Sequence, residues 1–167
     1  ITDSTAVRLL GRGEESDGKR TFNWSNAGFE FSFSGTTASV NVAEVSGTAY
    51  FNAQVDGKEP QRVLIDRSGW VTICSGLSAG EHTVRFVRSS SGQRGAVKFD
   101  KIKTDAVPSA TEEKERRIEF VGDSYTTGYG NINEGEQWES ATTTDSWYSY
   151  AGYAARELDA DYTLIAY

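Results

Sequence analysis

Through residues 1–107 the apolar positions fall in short runs separated by polar or glycine-bearing turns. Phe29-Glu30-Phe31-Ser32-Phe33 alternates with period two, the mark of a strand with one buried face. Val7–Gly11, Thr37–Val42, Ala49–Val55, Val63–Ile65, Trp70–Cys74, Thr83–Val87 and Ala96–Ile102 read as further strands. Asp56-Gly57 is a hairpin signal, Glu14–Lys19 reads as a turn cluster, and Gly35, Gly57, Gly69, Gly80 and Gly92 punctuate the rest. Strands at this spacing, without helical patterns between them, predict a sandwich or barrel over residues 1–107.

The pattern then changes. Residues 108–117 read as a linker: a polar stretch with Pro108, then the mixed-sign run Glu112–Arg117, which reads as a solvated surface segment. Ile118, Phe120 and Val121 form the apolar run of a buried strand, which Gly122 ends. Asp145 or Ser146 is a good N-cap, and Trp147, Tyr150, Ala151, Ala154 and Leu158 recur at helical spacing, predicting one apolar face. Tyr162–Tyr167 reads as a second buried strand. Strand, helix and strand over 118–167 make one βαβ unit, whose right-handed crossover sets the strands parallel. Such a unit leaves strand edges and a sheet face uncovered, and is not expected to stand alone.

Ser124 sits where the first of those strands runs into a loop made pliable by Gly128 and Gly130. Open α/β folds place ligands at the carboxyl end of such strands. Serine becomes a nucleophile when a base takes its proton and N–H donors receive the oxyanion. Gly-Asp-Ser is also a common turn tripeptide; its context of buried strand, glycine-rich loop and helix favours the catalytic reading. Asp123 is too close in sequence to complete a triad and is expected to tie down the loop through backbone N–H groups. His82, the one histidine, lies in a strand pattern and reads as a half-buried strand residue rather than a base. Trp24, Trp70 and Tyr50 read as core aromatics rather than sugar-stacking ones. Tyr129 and Trp138 either line a substrate cleft beside Ser124 or pack against the sandwich.

Composition narrows the classes. The net charge is −7, and Lys114, Arg116 and Arg117 form the one basic cluster, which excludes a phosphate-backbone binder. No apolar run approaches a membrane span. Cys74 is alone, and Trp70, Val71 and Ile73 around it argue a buried free thiol, although a second chain could carry a partner. There is no metal-ligand cluster. A chain without methionine that begins Ile1-Thr2-Asp3 is expected to have lost a leader, and Asn23-Trp24-Ser25 is a glycosylation sequon; both fit a secreted glycoprotein.

Arg117-Ile118-Glu119-Phe120-Val121-Gly122-Asp123-Ser124, with Thr127-Gly128-Tyr129-Gly130-Asn131 after it, resembles the first sequence block of the GDSL, or SGNH, hydrolases. The longer form resembles carbohydrate esterase family 2. The likeness extends through Phe22-Asn23-Trp24, Asn52-Ala53-Gln54-Val55-Asp56-Gly57, Gly80-Glu81-His82-Thr83-Val84 and Tyr150–Leu158. It implies a jelly-roll-like β-sandwich followed by the first βαβ unit of an α/β SGNH domain. It further implies a secreted serine esterase that removes acetyl groups from plant polysaccharides such as xylan or mannan, without metal or organic cofactor. Ser124 matches the family's nucleophile and its N–H the first oxyanion donor, with Gly122 and Asp123 as loop support. Tyr125 departs from the aliphatic residue common there. The family's second donor glycine, donor asparagine and catalytic histidine fall beyond Tyr167, so a second polypeptide carrying them is expected as partner. The alternative is a catalytically inactive, lectin-like glycan binder on an esterase scaffold.

Overall fold

The computed structural model describes residues 1–135 and 141–166. Its strands are β1 (Arg8–Leu10), β2 (Glu14–Ser16), β3 (Lys19–Phe22), β4 (Gly28–Gly35), β5 (Ala38–Val45), β6 (Ala49–Val55), β7 (Gln61–Ile65), β8 (Gly69–Cys74), β9 (Gly80–Arg88), β10 (Val97–Thr104), β11 (Ser109–Ala110), β12 (Arg116–Val121) and β13 (Ala160–Ile165). The helices are α1 (Ser124–Thr127) and α2 (Tyr150–Glu157). One antiparallel sheet runs β1-β4-β9-β6-β7, with β11 also on β4; the other runs β2-β3-β10-β5-β8. The chain crosses between them repeatedly and forms a sandwich.

β4 shows why the two sheets close on each other. Phe29, Phe31 and Phe33 are buried, while Glu30 and Ser32 alternate to the outer face. The three rings meet others from both sheets: Phe29 lies 5.6 Å from Phe86 and 5.9 Å from Phe99, and Phe51 stacks on Phe86 at 5.0 Å. Each such side chain contributes about 1.5–3 kcal/mol by leaving water.

The Glu14–Lys19 cluster is more than a turn. Ser16 pairs with Lys19, and Asp17 and Gly18 both take positive φ (53° and 70°), so the segment is a two-residue hairpin joining β2 to β3. These strands are short and polar, which hid them from the apolar pattern. Residues 108–117 are not free chain either: β11 adds to β4, and Arg116 and Arg117 already belong to β12.

β12 and β13 pair in parallel, Arg116 against Ala160 through Val121 against Ile165, and α2 crosses between them. The expected single helix from Asp145 is instead two pieces. Asp145 caps a 3₁₀ turn, Ser146–Tyr148, by accepting from the Trp147 N–H at 3.0 Å. Ser149 then caps α2 by accepting from the Gly152 N–H at 3.2 Å. The second cap rotates the buried face to Ala151, Gly152 and Ala155, which leaves Tyr150 and Leu158 exposed rather than apolar and inward. Ala151 and Ala155 pack with Tyr162, Leu164, Ile118 and Phe120.

The β12–α2–β13 unit is docked by polar contacts onto the outer face of the six-stranded sheet. Arg8 is paired with both Glu30 at 2.6 Å and Asp161 at 2.5 Å, with all three side chains largely buried. The Asn26 side chain donates to the Tyr162 carbonyl at 2.9 Å, and Ser146 N–H donates to the Ser89 carbonyl at 2.9 Å. Among the described residues no helix is long and apolar enough to cross a membrane.

Candidate functional site

Ser124 is the first residue of α1, directly beyond the carboxyl end of β12. The Gly122 N–H donates to the Ile165 carbonyl at 3.1 Å, so pairing with β13 continues to the edge of the turn. A Cβ on Gly122 would come within 2.1 Å of the Thr126 hydroxyl, so only glycine lets the turn fold back this tightly. Asp123 has extended backbone angles and caps α1, its carboxylate accepting from the Tyr125 N–H at 3.0 Å. The turn closes behind Ser124, whose carbonyl accepts from the Thr127 hydroxyl at 2.8 Å and the Tyr129 N–H at 2.9 Å. Gly128 then takes φ 77°, the left-handed cap of α1.

The loop that follows is held from outside. Gly130 N–H donates to the Thr144 hydroxyl at 3.1 Å. The Asn131 side chain donates to the Asp145 carbonyl at 2.9 Å and accepts from its N–H at 3.0 Å. Asp145 in turn is fully buried and anchored in the sandwich. Asn52 on β6 donates to its carboxylate at 2.9 Å, and Arg62 on β7 lies 3.3 Å away as an ion pair. Burial pushes the Asp145 carboxyl up, opposed by the Trp147 N–H, Asn52 and the Arg62 charge. Arg62 also donates to the carbonyls of Ala141, Thr142 and Thr144, and its guanidinium lies 4.3 Å above the Tyr50 ring. Two side chains of the sandwich thus set the path of the loop after Ser124. The sequence marked Arg62 by nothing and Asn52 only as part of the family-like segment Asn52–Gly57; Asp145 was marked as a cap.

A shallow groove of about 250 Å³ opens beside this loop, lined by Tyr125, Tyr129, Asn131, Tyr148 and Tyr150 with Gly128. Tyr129 is about half exposed there, and Tyr125 is 82% exposed. Tyr148 donates its hydroxyl to Glu59 in the β6–β7 connection, which pushes the phenol up to about 12 and keeps it neutral. The Tyr150 and Thr126 hydroxyls are 2.9 Å apart and tie α2 to α1. Trp138, the other cleft candidate, lies outside the described residues.

His82 lies on β9, is buried rather than half-buried, and is held within the sandwich. Its Nδ1 is 2.8 Å from Asp56 and its Nε2 is 2.7 Å from the Ser78 carbonyl. Asn23 is exposed, and Cys74 is half-buried and free, its thiol pushed up by burial. Trp24 packs partly against the core. Trp70 and Tyr50 do not belong there. Val71 and Ile73 take the inward positions of β8, which turns Trp70 outward, and Tyr50 faces out under Arg62.

Comparison with known proteins places these features in context. The family described as carbohydrate esterase 2 N-terminal matches residues 9–112. The chain is 35% identical over 150 residues to the cellulase/esterase CelE of Acetivibrio thermocellus, covering 86% of this chain and 18% of that protein. It is 32% identical over 152 residues to an acetylxylan esterase / glucomannan deacetylase of Cellvibrio japonicus, covering 87% of this chain and 41% of that protein. Among solved structures, a family two carbohydrate esterase from Clostridium thermocellum in complex with cellohexaose superposes with a TM-score of 0.88 at 32% identity, over 96% of this chain and 50% of that one. The chain therefore spans about half or less of the length of the relatives it matches.

Proposed function

The chain belongs to carbohydrate esterase family 2, and on that premise we propose that it supplies the nucleophile of a secreted serine esterase that deacetylates polysaccharides such as xylan or glucomannan. The observation that carries this reading is the placement of Ser124: at the carboxyl end of a parallel strand, in a turn capped by Asp123 and closed by Gly128. The β12–α2–β13 unit then serves as the opening of an SGNH hydrolase domain, with residues 1–107 and β11 as the sandwich and the chain between β11 and β12 as the connection.

In the reaction Ser124 Oγ attacks the acetyl carbonyl carbon. The carbonyl oxygen becomes an oxyanion that accepts from the Ser124 N–H, which as the first helical position has no partner within α1. Collapse expels the sugar oxygen, which takes the proton that the base removed from Ser124 and becomes the free hydroxyl, and leaves an acetyl ester on Ser124. Water then attacks that ester and releases acetate and the free serine. His82 is engaged by Asp56 and Ser78, so the base that takes the serine proton would be a histidine on a further polypeptide segment. The tyrosine groove beside Ser124 is where the sugar ring carrying the ester would lie, with Tyr129 on its wall.

The test is acetate release from acetylated xylan, acetylated glucomannan and p-nitrophenyl acetate by the whole esterase. Ser124→Ala is expected to reduce it roughly 10³-fold or more. Activity that survives the substitution removes Ser124 as the nucleophile.

A further inference from the structure

A further exposed aromatic ring lies on the sandwich. Trp70 stands on β8, the edge strand of the five-stranded sheet, and is 54% exposed. Its direct cross-strand partner on β5 is Asn41, and Thr72, two residues on, is opposite Ser39. Directly opposed residues share a face, so three side chains able to donate and accept hydrogen bonds flank the indole. Past the start of the strand, the turn from β7 to β8 forms a cleft of about 340 Å³ lined by Leu64, Asp66, Arg67, Ser68 and Trp70.

The chemistry of this surface selects its ligand. Asp66 and Arg67 carry opposite charges on the rim, so the cleft offers no excess of either sign to an ion. It does offer a flat apolar ring beside paired donors and acceptors. A neutral molecule with one apolar face and a rim of hydroxyls meets all of these at once, which describes a pyranose ring. The Ser124 unit docks on the other sheet, through Arg8, Asn52 and Arg62, which leaves the Trp70 face clear of the catalytic groove.

We propose that Trp70, with Asn41, Thr72 and the Asp66–Ser68 turn, is a second carbohydrate-binding site that holds an uncharged polysaccharide chain apart from Ser124. The choice of polysaccharide rests on the esterase reading; the site itself does not. It would keep the protein on a polymer while the nucleophile works at another point.

Affinity electrophoresis through gels of xylan, glucomannan and hydroxyethylcellulose tests the site, with calorimetry on cellohexaose, xylohexaose and mannohexaose. Trp70→Ala is expected to weaken binding to at least one of these polymers about tenfold or more. Trp70→Phe keeps a stacking ring and is expected to retain most of the affinity. Val107→Ala, at an exposed position outside both sites, is expected to bind as the unsubstituted chain does. Circular dichroism and Tm of each variant show that the fold is kept. Equal binding by Trp70→Ala and the unsubstituted chain overturns the proposal, and so does an unsubstituted chain that no polymer retards. Failure of the esterase reading shows separately, as acetate release insensitive to Ser124→Ala, and leaves the binding result standing.

Discussion

The sandwich and the β12–α2–β13 unit are held together by different forces. The sandwich encloses Phe22, Phe29, Phe31, Phe33, Phe51, Phe86 and Phe99, all within 1% of full burial. The unit's own core is Ala151, Ala155, Tyr162 and Leu164, two of them with almost no apolar surface to bury. Its position comes instead from Arg8 on Asp161, Asn26 on Tyr162, and Asn52 and Arg62 on Asp145. Stability is concentrated in one region and Ser124, the proposed nucleophile, sits in the other, whose geometry is imposed across the contact. The sandwich is therefore also the support of the site.

The strongest way to break this comparison is through the core. Phe99 meets Phe29 and Phe86 at 5.9 and 6.1 Å and Phe51 edge-on at 5.2 Å, so Phe99→Ala is expected to cost about 3–5 kcal/mol in urea unfolding. The whole chain should unfold in one transition, because the unit has no comparable core. A second transition in which the unit survives would show that it stands by itself. A sharper probe is Arg62→Met, which leaves the buried Asp145 carboxylate without its cation at a local cost of about 2–3 kcal/mol. Hydrogen exchange should then speed up at Gly130, Asn131 and Asp145 while the β4–β9 amides keep their protection, and acetate release by the whole esterase should fall about tenfold or more. Protection unchanged at Asn131 would mean that the latch does not hold the loop.

The smallest effect concerns pH and belongs to the sandwich alone. Both ring nitrogens of His82 face acceptors, the Asp56 carboxylate and the Ser78 carbonyl, which is satisfied only by the doubly protonated ring. The hydrogen bonds to Ser78 and Asp56 hold its pKa above the ordinary 6.5, and the His82 hydrogen bond holds Asp56 below 3.8. The histidine term is therefore fully present below pH 6.5 and fades as pH climbs through the raised value. The aspartate term is present above pH 3.8 and fades as pH falls through the lowered one. His82→Gln should flatten the loss of Tm on the alkaline side without altering exchange at Asn131. A Tm profile above pH 6.5 that is the same with and without His82 would remove the pair as its source.

Much of this architecture is legible along the chain because its cause is local. Alternation in Phe29–Phe33 marks a strand since side chains on a strand point alternately to two faces, and Val71 and Ile73 mark the inward side of β8 by the same rule. Applied at Trp70, that rule turns the indole outward, where aromatic character alone suggested the core. Ser124 is legible because a buried strand ending in glycine leaves few places for the next residue to go. The phase of α2 was not, because two adequate caps, Asp145 and Ser149, compete, and the sequence does not rank them.

The sequence by itself determined the apolar strands, the sandwich class, the parallel strand–helix–strand unit and the serine at its turn, all through contacts between near neighbours and simple periodicity. Only the tertiary structure decided that Asn52 and Arg62 reach Asp145, 93 and 83 residues further on, and that Asp145 then seats Asn131. No spacing rule encodes such a pair, because it forms only after two sheets have closed and a third element has docked on them. Each partner taken alone is an ordinary polar residue on a strand or before a helix. Their meaning comes from the burial that the fold imposes, which makes a missing partner costly.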